Sequence, residues 1–364
     1  MVFDMTAIQK DEEEEIYSNF INSINSDVTR LNYELHVDLF KKFCNQVNLS
    51  GLLTIEEPQK HIINYIISLR QRGLASSSIS TMINAIYHFY DMNDVALNKK
   101  KIKMFIGQSP KKVSDRAYTH SEISRILTVS DMRMKVMVLL MATAGLRIGA
   151  LPQLRLRNLV KNDSIYKITV YEGYKDEYYT FCTPECASNI DSYFEYRKQN
   201  GEKLENDSFL IRDQFDITDL EQIRNKSKGL TVGSLEGILG TVLLKAGLRS
   251  VDHTYKWIRK EVPRAHGFRK FFTTQLVNSK VNPEIREMLL GHKIGLTGCY
   301  YRPTKDELYV EYQKAIDNLT INEENRLKAR LEQKIQIEKS QFEALKADLD
   351  AFKNEVLKQR HQGV

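Results

Sequence analysis

Residues 136–151 read VMVLLMATAGLRIGAL. The unbroken apolar run Val136–Ala142, joined upstream by Met134, predicts a buried helix that stops toward Gly145. No apolar run in the chain is longer, and this one is about a third of the roughly 20 residues that a membrane span requires. The reading is therefore a core helix of a soluble protein. Arg147 follows at once, where burial without a partner would cost several kcal/mol, so the position asks what pairs with it.

Downstream the period changes. Tyr166, Ile168 and Val170 alternate with polar residues, as do Tyr179 and Phe181 beyond a turn at Glu172–Asp176, which predicts a β-hairpin with Gly173 and Lys175 in or beside its turn. Helical spacing returns at Ser188–Lys198, Val232–Leu244 and His266–Val277, and Pro283 opens a short helix that ends at Gly291. Upstream, Thr119 and Glu122 form the T-x-x-E of a capping box that opens this domain. Before it, GQSPKKVSD at 107–115 has no hydrophobic period and reads as a linker.

Earlier still, three helical blocks predict a small bundle: Leu35/Leu39/Phe40/Phe43/Val47, Ile62/Ile63/Ile66/Ile67, and Ile79/Met82/Ile83/Ile86/Tyr87/Tyr90. Pro58 and the serines 76–78 supply start signals. A further short helix near Asn98–Ile106 carries Lys99, Lys100, Lys101 and Lys103, either a solvated face or a phosphate-contacting one; Lys111 and Lys112 of the linker join them as candidate phosphate contacts. The acidic start, residues 1–24, reads as an unordered tail. At the other end Leu331, Ile335, Glu338, Phe342, Leu345, Leu349, Phe352 and Val356 alternate steps of four and three, the a/d seam of a coiled coil broken only by Glu338. Such a seam needs a partner surface, either another protomer or the chain's own domain. The expected fold is mainly α with a small antiparallel β-sheet, divided into 1–24, a helical domain 25–106, a linker 107–116, an α+β domain 117–318 and a terminal helix 319–364.

The chain has 364 residues, with 53 Lys+Arg against 47 Asp+Glu for a formal net charge of +6. Residues 1–15 carry −5 and residues 319–364 carry +1, so the segment between them carries +10, which favours a polyanionic partner. Four cysteines are too few for a disulfide scaffold and no apolar leader opens the chain, so a reducing, cytoplasmic setting is expected. Cys182 and Cys186 have no two further ligands clustered with them, so no metal is expected.

Chemistry enters through a set of residues. His266 and Arg269 stand at H-x-x-R, spaced to share a helix face; His292 follows a helix-ending LLG; Tyr301 lies nine residues on. With Arg147 and Lys175 they form a constellation without a carboxylate, suited to clamping a phosphodiester with guanidinium forks and attacking it with a phenol. In order and spacing, Arg147 in GLRIGAL, His266-Gly267-Phe268-Arg269, Leu289-Leu290-Gly291-His292 and Tyr301 resemble the tyrosine recombinase (phage integrase) family over about residues 25–318. HGFRKFF, and YYRPT with its following E-L-x-x-E-Y, most resemble the archaeal and archaeal-virus integrase branch.

The resemblance implies a SAM-like core-binding domain followed by a catalytic domain. It implies that Arg147 and Arg269 hold the scissile phosphate, Lys175 protonates the departing 5′ oxygen, His266 assists proton transfer at the nucleophile, His292 hydrogen-bonds the phosphate and Tyr301 attacks phosphorus. No cofactor is implied; the partners would be duplex DNA at attachment-type sites and further copies of the chain, a tetramer on two sites. A lysine in a cationic site has its pKa pushed down toward that of a usable general acid. Tyr300 is the rival nucleophile and Lys167 the rival lysine, whereas Tyr309, Tyr312 and Trp257 read as packing residues. Ala150 stands where many family members carry Glu three residues after the first arginine. The expected function is a site-specific recombinase that integrates or excises a mobile or viral element. The alternatives are a type IB topoisomerase-like relaxing enzyme and a non-catalytic DNA-binding relative working through its coiled coil.

Overall fold

The computed structural model describes residues 5–108, 115–224, 227–250, 261–295 and 300–328, with isolated positions from 331 to 349, and side chains from Glu12 onward. The chain divides into two compact units, Met1–Lys112 and Val113–Val364.

The first unit is helical throughout its described residues: α1 (Met5–Asn22), α2 (Asp27–Phe43), α3 (Leu49–Leu53), α4 (Pro58–Gln71), α5 (Ser76–Met92) and α6 (Lys99–Ile106). α1 corrects the expectation of an unordered acidic tail over residues 1–24. Behind the acidic run, Ile16, Phe20, Ile21 and Ile24 recur at helical spacing and are buried in the bundle core. Glu13, within that run, accepts hydrogen bonds from the Leu49 and Ser50 amides at 2.5 and 3.0 Å, satisfying orphan donors at the start of α3. On α2 the core takes Val37 and Phe40, while Leu35, Leu39 and Phe43 are exposed along with Val28 and Leu31, as is Val47 beyond its end. Apolar residues lie on two sides of α2, and the bundle covers one of them. Phe40 packs on Tyr65 and Tyr90, whose buried hydroxyl donates to the Leu52 carbonyl at 3.0 Å. On α6, capped by the Asn98 side chain, Ile102 and Ile106 face inward; Lys100, Lys101 and Lys103 are exposed, and Lys99 pairs with Asp91.

The second unit opens with α7 (His120–Thr128), whose capping box joins Thr119 to Glu122. Two 2.8 Å bonds from Arg116, ahead of the opposing effect of burial, hold the Glu122 carboxyl down to about 2. α8 (Met132–Thr143) is buried on all sides from Val136 to Thr143, as the opening stretch predicts. Short 3-10 turns at Ile148–Gln153 and Leu156–Asn158 lead into an antiparallel sheet of β1 (Leu159–Asn162), β2 (Ile165–Val170) and β3 (Tyr178–Phe181), in that order. β2 and β3 pair with Val170 opposite Tyr178, which leaves Lys175 in the turn and Lys167 mid-strand opposite Phe181. β1 escapes a sequence reading because its four residues are largely exposed and carry no alternation. α9 (Pro184–Gln199), α10 (Leu220–Arg224), α11 (Val232–Lys245), α12 (His266–Asn278), α13 (Pro283–Leu289), α14 (Lys305–Gln313) and α15 (Ile316–Leu319) complete the unit. The rings of Phe268, Phe271 and Phe272 on α12 are buried in one core with α8 and α9.

Inside that unit Glu202 is held between two fully buried arginines. It accepts from Arg197 at 2.6 and 2.9 Å and from Arg212 at 3.1 Å, and Arg197 and Arg212 also donate to the Phe209 and Ile223 carbonyls. Removing one partner of a buried pair leaves an uncompensated charge. Glu202→Gln, which keeps the shape, is expected to lower unfolding stability by about 3–5 kcal/mol, seen as a fall in denaturant midpoint at constant m-value. A midpoint shift below about 1 kcal/mol equivalent would contradict that reading.

Beyond α15, Glu185 accepts from the Ile321 and Asn322 amides at 2.7 and 3.1 Å and anchors the start of a further helix. In its described part, Leu331, Ile335, Phe342, Leu345 and Leu349 of the seam are exposed rather than packed on the chain's own core. Phe352 and Val356 lie outside the described residues, as do Lys111, Lys112, Trp257 and Cys299. Cys44, Cys182 and Cys186 are free thiols. Among the described residues no group of three or more His, Cys, Asp or Glu side chains is placed to hold a metal ion, and no helix is long and apolar enough to cross a membrane.

Candidate active site

Arg269, in the first turn of α12, organises the site. Its side chain is buried, 5% exposed. One arm donates to the Gly145 carbonyl at 2.5 Å, just past the end of α8; the other donates to the Leu290 carbonyl at the end of α13 and lies 2.9 Å from His292 Nε2. A single guanidinium thus ties together the two loops that carry Arg147 and His292. Burial, followed by repulsion from Arg147, pulls its pKa below the ordinary arginine value, although a guanidinium keeps its proton in proteins.

The glycines of those loops are required by geometry. Gly145 has φ +65° and a Cβ there would lie 2.4 Å from the Phe272 ring; Gly291 has φ +62° and its Cβ would lie 2.5 Å from the Tyr178 ring. Any side chain at either position meets both a left-handed backbone and an aromatic wall.

His292 is oriented from its other side by Glu287, whose Oε2 is 2.6 Å from Nδ1. An arginine N–H can only donate, so Nε2 accepts from Arg269 and the ring proton sits on Nδ1, directed at Glu287. Burial works to raise the Glu287 pKa, but the bonds and charges of His292 and Arg286 together outweigh it and leave the carboxyl lowered. Glu287 is a residue the sequence reading missed. Its signal would be an acid five positions before the LLGH histidine, on the last turn of the preceding helix, and nothing in the spacing distinguishes it from a solvated glutamate.

His266 stands at the start of α12 with its ring accessible. The protein wall behind it lowers its pKa, helped by repulsion from Lys270, Arg269 and Arg147 and opposed by Asp115. Lys270 is itself paired with Asp115 at 2.6 Å. A lowered imidazole pKa leaves His266 neutral near pH 7 and able to take a proton.

Arg147 corrects an expectation. It is exposed, and it makes no hydrogen bond or ion pair among the described residues. The buried arginine is Arg269, because α12 carries it between the two loops while the chain at Arg147 has already left α8 for a 3-10 turn. Arg147 is nonetheless close enough to Arg269, His266 and Tyr178 to bias each of them electrostatically. Ala150 is buried, and no acid among the described residues pairs with Arg147 in place of the glutamate missing there. Two guanidiniums therefore lie close enough to repel each other, and Arg147 has no carboxylate paired with it among the described residues, which is what a bound oxyanion would complete.

Lys175 is exposed in the β2–β3 turn and lines an open cleft of about 260 Å³ together with Tyr178, Gly291 and His292. Tyr301 is 36% exposed and Tyr300 90%. Neither hydroxyl is hydrogen-bonded among the described residues, and 296–299, between His292 and Tyr301, lie outside them. Tyr312 is fully buried, donating to the Thr143 carbonyl at 2.8 Å, and it packs with Tyr309 on Phe181.

Residues 116–307 match the phage integrase family, more than half of the chain. The chain belongs to the phage integrase family. As a tyrosine recombinase by class, it is an enzyme that breaks and rejoins DNA strands. It is 23% identical over 257 residues to tyrosine recombinase XerA of Pyrococcus horikoshii, covering 70% of this chain and 79% of that one. It is 27% identical over 190 residues to tyrosine recombinase XerC of Leptospira interrogans, covering 51% and 52%. Among solved structures, the Tn1549 transposon integrase in complex with transposon right-end DNA is 15% identical, with 82% of this chain and 98% of that one covered and a TM-score of 0.54. A lambda integrase dimer bound to a core site is 16% identical, with 81% and 95% covered and a TM-score of 0.53. These two likenesses establish a shared fold, mainly helical around a small antiparallel sheet. Within that recombinase fold, Arg269 and the two loops it joins form the floor of the site.

Proposed function

We propose that this integrase-family chain is a site-specific recombinase that integrates or excises a mobile or viral element through a 3′-phosphotyrosyl intermediate. The observation that carries the reading is Arg269, which ties the loop of Arg147 to the loop of His292, with Arg147 near enough to repel it and paired with no carboxylate among the described residues. In the proposed step the Tyr301 oxygen attacks phosphorus as the bond from phosphorus to the 5′ oxygen breaks. His266 takes the phenolic proton, Lys175 supplies one to the departing 5′ oxygen, and the arginines stabilise the charge gathering on the non-bridging oxygens. The phosphotyrosyl ester conserves the energy of the broken bond, so a second strand's 5′ hydroxyl reverses the attack and no cofactor is required.

The helical unit Met1–Lys112 is read as the core-binding domain, with Lys100, Lys101 and Lys103 as phosphate contacts. Lys99 is the weakest of the four candidates because Asp91 already neutralises it. The working assembly is read as a tetramer on two duplex sites, acting on intracellular DNA, with the terminal helix joining protomers through its exposed seam. A nicked suicide duplex carrying the correct site should trap a covalent adduct, and the absence of any adduct would defeat the reading. Deleting residues 325–364 should reduce two-site assembly and recombination while single-site binding persists. Unchanged assembly in gel-shift and recombination assays would return the seam to a role within one chain.

A further inference from the structure

Tyr178 is the first residue of β3, and its ring fills the space that Gly291 leaves open, against Tyr171 on its other side. The residue is 8% exposed. Its hydroxyl is buried and its proton meets no acceptor: the Arg269 guanidinium lies close enough to donate to the oxygen but cannot accept, and Arg147 acts on it only electrostatically. Buried polar groups without partners are rare, and a chain that keeps one beside its catalytic cations is holding a donor for something that arrives later. The neighbourhood narrows what that is. Tyr178 lines the same cleft as Lys175 and His292, and the carboxylates around it are engaged elsewhere: Glu287 with His292, Glu177 with the Gly173 amide and the Tyr179 hydroxyl, and Asp176 with Lys293. The missing partner is an acceptor.

We propose that the Tyr178 hydroxyl is a further substrate-binding group, donating a hydrogen bond to a non-bridging oxygen of the scissile phosphodiester held by Arg147 and Arg269. The inference rests on the recombinase reading above and adds a contact to it. No bond is made or broken at Tyr178; it supplies a fixed dipole where negative charge grows, and burial keeps it from competing with Tyr301 as nucleophile. It also gives Gly291 a second purpose, since the glycine leaves the space that the Tyr178 ring occupies.

The test uses the full chain and nicked suicide duplexes isolated from a randomised DNA library by covalent capture with the unaltered protein. Tyr178→Phe keeps the ring and removes only the donor. Adduct formation is expected to slow by about 10–100-fold, with DNA binding within about twofold of the parent. The melting temperature should be unchanged or raised by about 2–4 °C, because an orphan hydroxyl has been removed from the interior. A methylphosphonate at the scissile position, in its two stereoisomers, then separates contact from packing. The Tyr178→Phe penalty should vanish for the isomer whose methyl replaces the contacted oxygen and persist for the other. An unaltered rate, a lowered melting temperature, or an equal penalty on both isomers would overturn the inference while the recombinase reading stood. Failure of the unaltered chain to form any adduct would overturn both.

Discussion

Tyr301→Phe abolishes the covalent protein–DNA adduct, whereas Tyr300→Phe leaves it in place: this is the largest effect expected of any single substitution in the chain. The two tyrosines are adjacent and both are exposed, so exposure does not separate them. Chemistry does, because one residue of displacement at a helix terminus turns a side chain by about 100°, and only one of the two phenols can lie in line with a phosphate held by Arg147 and Arg269. Loss of a nucleophile costs at least about 10⁴-fold in the rate of the covalent step. Binding should survive, since affinity for duplex DNA comes mainly from many phosphate contacts. Peptide mapping of the trapped adduct gives the answer directly, and an adduct located on Tyr300 would reverse the assignment.

The second large effect distinguishes the two arginines. Arg147→Ala and Arg269→Ala should each slow cleavage by about 10²–10³-fold or more through loss of charge stabilisation at the phosphate. Their effects on stability should differ. Arg147 is exposed and bonds to nothing among the described residues, so its loss should leave unfolding within about 0.5 kcal/mol of the parent. Arg269 is buried and satisfies the Gly145 and Leu290 carbonyls as well as His292 Nε2, so its loss orphans all three acceptors and should destabilise the unit by about 2–5 kcal/mol. Arg269→Lys should recover little of either quantity, because one ammonium cannot span two carbonyls and a phosphate as a planar fork can. Denaturant unfolding beside single-turnover cleavage measures both; equal stability losses for the two alanine variants would contradict the proposed division of roles.

The floor that Arg269 builds also explains why both loops have a glycine beside their functional residue. Gly145 and Gly291 each combine a left-handed backbone with an aromatic ring in close contact, so the turns that present Arg147 and His292 are fixed by Phe272 and Tyr178 as much as by hydrogen bonds. Site and core are therefore one structure here. A substitution at Phe272 is a substitution near the proposed phosphate site, though the residue carries no chemistry of its own.

By itself, the sequence determined the helices with strong period and clear caps, the position of the β2–β3 turn, and an ordered set of residues specific enough to assign a recombinase family. These are local properties: a capping box lies within four residues, and a hairpin within about fifteen. The acidic start was misread, because charge density hid the apolar spacing of Ile16, Phe20 and Ile21, and the spacing in α2 marked a helix without declaring which of its apolar residues the bundle would cover. What only the tertiary structure decided is which charge is buried, what orients it and what it leaves unsatisfied. Arg269 meets Gly145 across 124 residues of chain, and the Tyr178 ring meets Gly291 across a gap that no motif spans. Burial and hydrogen-bond satisfaction are properties of the packed core, so Arg147 exposed, Glu287 on His292 and the Tyr178 hydroxyl without an acceptor became visible only once the loops had been brought together.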